Sequence, residues 1–160
     1  MEVEAIEVHF RRAPPWKRAA AWLADGLILA VFGAALLWLV LAAGGPRPPV
    51  GGDGLEWILD AVTAEARLAL PLLAVLLVAA FVHGTLGHGL MGATLGKRLL
   101  GLRVVSRDGQ PLSLSRSAVR AALAILSFLL LGLGCLLALF TRSGRALHDF
   151  LAGTYVVELP

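Results

Sequence analysis

The chain has 160 residues, 58% of them hydrophobic and 16% charged, with a net charge of +3. A soluble domain carries about 25% charged residues, so the deficit argues for a single-domain membrane protein. The basic residues flank apolar runs without basic–aromatic platforms, which argues against nucleic acid as a partner, and the one cysteine, Cys135, excludes an intrachain disulfide and a two-cysteine metal site.

Residues 1–15 read as a cytoplasmic N-terminal segment. Met1–Phe10 has the alternation of a short strand, and Pro14-Pro15 ends it. The first span is predicted over 16–43. From Ala19 to Ala43 the one charge is Asp25, and about 20 apolar residues suffice to cross the hydrocarbon. The run is too long for a signal-peptide core and contains an acid, so cleavage is not expected. Arg18 stands where the helix meets the headgroups, and Asp25 lies two turns deeper, about 10 Å at 1.5 Å per residue. An acid at that depth costs roughly 2.5–3.5 kcal/mol on insertion scales and is therefore partnered, protonated or functional.

Residues 44–67 read as an external Gly/Pro loop followed by an amphipathic helix that lies on the membrane surface or leads into the second span. Leu55, Ile58, Leu59, Val62 and Ala66 recur at helical spacing, with Asp53, Glu56, Asp60 and Glu65 as the solvated face. The second span, with a Gly-rich extension, covers 68–96, and Pro71 is placed in its first turn. Gly92 and Gly96 have the GxxxG spacing that lets helices approach, and Gly26 and Gly33 are further packing candidates on the first span. His83 and His88, five apart, do not share a helix face and read as interfacial histidines.

Residues 97–117 form a basic cytoplasmic segment. Leu102–Ser106 and Pro111–Ser115, joined through Asp108-Gly109, predict a β-hairpin, with Ser113 or Ser115 capping the next helix. The third apolar unit covers 118–141 and is interrupted by Gly132 and Gly134. Residues 142–160 close the chain with a strand from Gly153 to Leu159.

Lys and Arg counts set the orientation. Four lie near the N-terminus from Arg11 to Arg18, two lie in the 44–67 segment amid four acids, and six lie from Lys97 to Arg120. The N-terminus and the 97–117 segment therefore face the cytoplasm. The third unit either crosses once or returns as a hairpin. A return is preferred, because the terminal strand needs a partner and the other strands are cytoplasmic. The predicted fold is an all-α membrane protein with two full transmembrane helices, a third apolar unit that is bent or otherwise a third span, and a small cytoplasmic β element.

Three blocks carry a family resemblance. They are Arg18–Asp25; Gly92–Val105 with Asp108-Gly109 and Pro111–Ser113; and Arg142–Thr154 with its Leu147-His148-Asp149 core. In order and spacing the chain resembles the RDD family of small bacterial membrane proteins, from Trp16 to Val157. That family is named for one arginine and two aspartates. The resemblance assigns these to Arg18, Asp25 and Asp149, with Asp108 as the alternative second acid. It implies a multi-pass protein of the bacterial inner membrane and, as proposed for some members, cation/proton antiport.

Two functional readings stand side by side. Arg18, Asp25 and Asp149 form a buried polar network in a non-catalytic module that assembles with itself or a membrane partner, or Asp25 is a protonatable ligand of an oligomeric transporter for a monovalent cation or proton. His148 beside Asp149 is a secondary relay candidate, although neighbours on a helix point apart. The Gly92–Arg98 stretch lacks the spacing and the Ser/Thr of a P-loop. No catalytic constellation, metal site or cofactor is predicted, and the lipid bilayer is the expected surrounding.

Overall fold

A computed structural model of the chain describes residues 11–45, 54–130, 132–141 and 145–159. The strand expected over Met1–Phe10 and most of the Gly/Pro loop lie outside the described residues. Within them the order is β1 (Arg11–Arg12), α1 (Pro15–Ala42), α2 (Gly54–Met91), α3 (Leu95–Leu99), β2 (Leu102–Ser106), α4 (Leu114–Leu129), α5 (Leu133–Phe140), α6 (Leu147–Leu151) and β3 (Thr154–Glu158).

Helix α1 starts with Pro15 in its first turn, where a missing N–H costs nothing. Its 28 residues extend about 42 Å at 1.5 Å each, and the 38 residues of α2 extend about 57 Å. Both are long and apolar enough to cross a bilayer. Their outer faces leave Leu23, Leu27, Val31, Phe32 and Trp38 of α1, and Leu70, Leu73, Val75 and Val78 of α2, exposed. Such a contiguous apolar surface fits lipid and not water.

Helix α2 corrects two expectations. Of the two alternatives for the amphipathic helix, it leads into the second span without a break, and this places Pro71 in the interior of one helix and not in a first turn. Ala64 to Leu70 contains no glycine and good helix formers, so nothing stops propagation there. An interior proline is tolerated in apolar helices where local adjustments satisfy the freed carbonyl. The helix ends at Gly92, which takes φ +73, while Ala93 N–H reaches back to the Gly87 carbonyl at 2.9 Å. That closure requires a left-handed residue after the last turn. Gly92 is therefore a helix stop, not half of a GxxxG stripe.

The predicted β-hairpin is also corrected. Ser106 N–H bonds the Gln110 carbonyl at 2.9 Å, and Gly109 N–H bonds the Ser106 carbonyl at 3.1 Å, which closes a tight turn. No return strand follows. Pro111 removes a ladder donor, Leu112 is buried, and Ser113 already accepts from Arg116 N–H as the cap of α4. The partner of β2 is instead β3, antiparallel, from Leu102 opposite Glu158 to Ser106 opposite Thr154. On its other edge β3 takes β1, with Arg11 opposite Glu158. The sheet order is β1-β3-β2, so the C-terminal strand is central and ties both chain ends together.

The third apolar unit begins at Leu114 and is broken in two. Gly132 adopts φ +76 between α4 and α5. A Cβ on Gly134 would fall 2.7 Å from Ser127 Cβ, so α5 folds back tightly along α4. The 16 and 8 residues of these helices extend about 24 and 12 Å, each short of a hydrocarbon core about 30 Å thick. A straight single crossing does not occur.

Candidate functional site

Two carboxylates organise the polar interior, each held by several elements. Asp149 sits in α6 with no exposed surface. From the first turn of α1, the Arg18 guanidinium pairs with its Oδ2. From α4, Arg120 donates to Oδ1 through Nε at 3.1 Å and NH2 at 2.5 Å. Thr154, the first residue of β3, accepts from Arg120 Nε at 3.3 Å. Ala146 N–H donates to Oδ2 at 3.4 Å. One acid thus fastens α1, α4 and the α6–β3 corner.

The remaining guanidinium nitrogen of Arg120 turns to α2, where NH1 lies 3.0 Å from His88 Nε2. His88 Nδ1 lies 2.5 Å from the Gly84 carbonyl. An arginine can only donate, so Nε2 accepts and Nδ1 carries the hydrogen that Gly84 receives. His88 is thereby fixed in one neutral tautomer as a structural acceptor. Arg145 closes the other side of α6, donating to the carbonyls of Asp149 and Phe150 at 3.1 and 3.2 Å, and its guanidinium lies 4.5 Å from the Tyr155 ring centre.

Burial alone would raise the Asp149 carboxyl, but Arg120 and Arg18 hold it well below the usual carboxylate range. His148 is pushed down to about 3, first by burial and then by Arg120, against the pull of Asp149. Its Nε2 is 3.6 Å from Asp149 Oδ1, beyond hydrogen-bond reach, and its ring lies against Trp22 at 5.8 Å. A His148–Asp149 relay is not formed.

The second carboxylate is Asp25 of α1. Its Oδ1 accepts from Gly96 N–H at 2.8 Å and faces His83 Nε2 at 3.0 Å; its Oδ2 accepts from Thr94 Oγ1 at 2.6 Å. Thr94 and Gly96 belong to the start of α3, which packs directly on α1. A Cβ on Gly96 would lie 2.3 Å from the Ala21 carbonyl oxygen, so only glycine permits this approach. Unlike Asp149, this group keeps 13% of its side chain exposed, and His83 keeps 22%.

Lys97 stands between the two clusters. It is buried, and among the described residues the hydrogen bond of its ammonium runs to Thr94 Oγ1 at 3.4 Å. Its pKa falls to about 7, first through burial and then through Arg120, partly offset by Asp25 and Asp149.

A model of the RDD family matches residues 12–153. The chain belongs to the RDD family. "Uncharacterized protein YckC" of Bacillus subtilis (strain 168) is 39% identical over 66 residues, 38% of this chain and 44% of that protein. The match spans less than half the length of that relative. No solved structure matches the chain. Family membership and two apolar helices of spanning length together support a membrane setting for this RDD protein.

Of the residues singled out from sequence, Arg18 and Asp149 meet directly, and Asp25 anchors a separate cluster with His83. The two histidines of α2 face different clusters. Asp108 lies exposed in the turn after β2, remote from both. Gly33 packs on Leu76, with a built Cβ 3.1 Å away, whereas Gly26 has nothing within 4 Å and is not a packing contact. Sequence reasoning missed Arg120, Thr94, Lys97 and the Lys17–Glu158 pair between α1 and β3. Among the described residues no three His, Cys, Asp or Glu side chains converge as a metal would need.

Proposed function

We propose that this RDD protein is a non-catalytic, multi-pass module of the bacterial cytoplasmic membrane, with its termini and small sheet on the cytoplasmic side. In this reading it assembles with copies of itself or with a membrane partner. The observation that carries the reading is the burial of Asp149 between Arg18 and Arg120. A carboxylate with no exposed surface and two guanidinium partners is a fastening, not an exchangeable ion ligand. The excess of Lys and Arg from Arg11 to Arg18 and from Lys97 to Arg120 supports the orientation.

Cation/proton exchange is the second reading, favoured by one observation. Asp25 retains exposure and faces a histidine, so a proton or monovalent cation has access to it. Two spanning helices and a hairpin do not shield an ion path from lipid, so exchange requires an oligomer. Proton and monovalent-cation flux in proteoliposomes separates the two. The module reading expects no flux above protein-free vesicles; cation-driven proton flux lost in Asp25→Asn replaces it with exchange.

A further inference from the structure

Beyond the fastening role of Asp149, Lys97 is a buried cation without a carboxylate of its own among the described residues. The charged and titratable groups around it come from five elements: Arg18 and Asp25 of α1, His88 of α2, Arg120 of α4, Cys135 of α5, and His148 and Asp149 of α6. Both arginines in that set are already committed to Asp149. The Asp25 oxygens are filled by Thr94, Gly96 and His83. An ammonium has three donors, and among the described residues one long bond serves them.

That bond opens a continuous chain. Lys97 Nζ donates to Thr94 Oγ1 at 3.4 Å, Thr94 donates to Asp25 Oδ2 at 2.6 Å, and Asp25 Oδ1 faces His83 Nε2 at 3.0 Å. It runs from a fully enclosed amine to a side chain with 22% exposure. We propose that Lys97 is a proton-binding site of the buried network, loaded and unloaded through the wire Thr94–Asp25–His83.

The transfer balances without any redox partner. On unloading, an Nζ–H bond breaks as Thr94 Oγ1 takes that proton and releases its own hydroxyl hydrogen to Asp25 Oδ2. The resulting carboxylic acid turns and gives the proton to His83 Nε2, and the imidazolium loses a proton to water at its exposed edge. Loading is the reverse. One positive charge thereby leaves or enters a cluster that otherwise holds two committed arginines, and the attraction between α3 and the Asp25 side of α1 changes with it. Burial and the arginines favour the neutral amine near pH 7, which makes the site exchangeable under ordinary conditions.

The chain contains two lysines, Lys17 and Lys97, which makes the site directly readable. The whole protein, labelled with nitrogen-15 at the lysine Nζ and reconstituted in nanodiscs, is titrated by NMR from pH 5 to pH 10. Lys17→Arg identifies the Lys17 signal by its loss. The other signal is expected to convert to a neutral amine with a midpoint near neutrality. A Lys97 signal that persists as an ammonium through pH 9 overturns the site. For the wire, the Lys97 proton exchange rate is expected to fall at least tenfold in Thr94→Val, and an unchanged rate overturns it. If Thr94→Val does not fold, His83→Gln at the outlet reads the same rate, with the same expected slowing and the same overturning result.

Discussion

Gly96 and Asp25 are locked at a distance that leaves no room for a side chain. Gly96 N–H donates to Asp25 Oδ1 at 2.8 Å, and a Cβ on residue 96 would lie 2.9 Å from the Asp25 carboxyl carbon. The clash with the Ala21 backbone carbonyl is worse still, and backbone cannot rotate away. Gly96→Ala is therefore expected to push α3 off α1 and lower stability by about 1–3 kcal/mol. Gly26→Ala, one position after Asp25 with open space around it, is expected to be neutral or stabilising by about 0.5–1 kcal/mol. Denaturant unfolding of both variants in one detergent checks the opposite signs.

Asp149→Asn leaves Arg18 and Arg120 buried with a neutral partner. Removing one side of a buried ion pair costs about 3–5 kcal/mol, because the stranded charge cannot regain water. The same substitution at Asp108, exposed in its turn, is expected to change stability by less than about 0.5 kcal/mol. Unfolding midpoints of the two Asn variants against wild type decide this, and they also decide which aspartate belongs to the network.

The joint membership of Arg18 and Asp149 in one network was legible through the family resemblance, which singles out both residues. The partner Arg120 was not. It stands at the polar edge of an apolar run and reads there as one more cytoplasmic arginine. A faint signal did exist: Ser117, Arg120, Ala121 and Ser127 line one face of α4, a small and polar stripe on a helix otherwise rich in Leu, Ile and Phe. In lipid such a stripe turns inward. Lys97 misled for the opposite reason. A lysine that ends an apolar run normally snorkels to water, and only the glycine approach at position 96 pulls this one inside. The merged surface helix and span show a limit of periodicity, since an amphipathic stripe looks the same whether its helix stops or continues.

Stability is expected to rise with pH across two adjoining windows. Lys97 falls from 10.5 to about 7 on folding, so between these values the unfolded chain binds more protons and folding gains as pH increases. His148 falls from 6.5 to about 3, which gives the same sign in the lower window: acidification below about pH 6.5 charges the unfolded imidazole and not the folded one. Asp149 is depressed instead, so its contribution is intact above its unfolded value of 3.8 and is lost in stronger acid. Each full window has a slope of at most about 1.4 kcal/mol per pH unit. Unfolding midpoints measured from pH 5 to pH 9 check the rise. His148→Gln is expected to flatten the lower part and Lys97→Met the upper part.

Gly132 holds φ +76 at the joint between α4 and α5. A residue with a Cβ pays roughly 1–2 kcal/mol in that conformation. No atom crowds the position, so Gly132→Ala tests backbone strain alone. A loss of about 1 kcal/mol in unfolding free energy is expected. A straightened α4–α5 unit, read as a longer distance between spin labels on the two helices, accompanies it if the joint yields instead of straining.

The central position of β3 makes orientation testable at one residue. Arg11, Arg12 and Leu102 to Ser106 all pair with this strand, so its side of the membrane is theirs. Lys17 also holds Glu158 to the start of α1, which makes Glu158 itself a poor site for a label. Leu159, next along the chain and exposed, is better. In a Cys135→Ala background, Leu159→Cys is expected to resist a membrane-impermeant maleimide in intact cells and to react after lysis. Ala43→Cys, exposed at the opposite end of α1, is expected to react in intact cells. Labelling of Leu159→Cys without lysis places the sheet outside. Because β1 and β2 are both hydrogen-bonded to β3, that result would invert all three strands together and leave the Arg18–Asp149 fastening on the outer face.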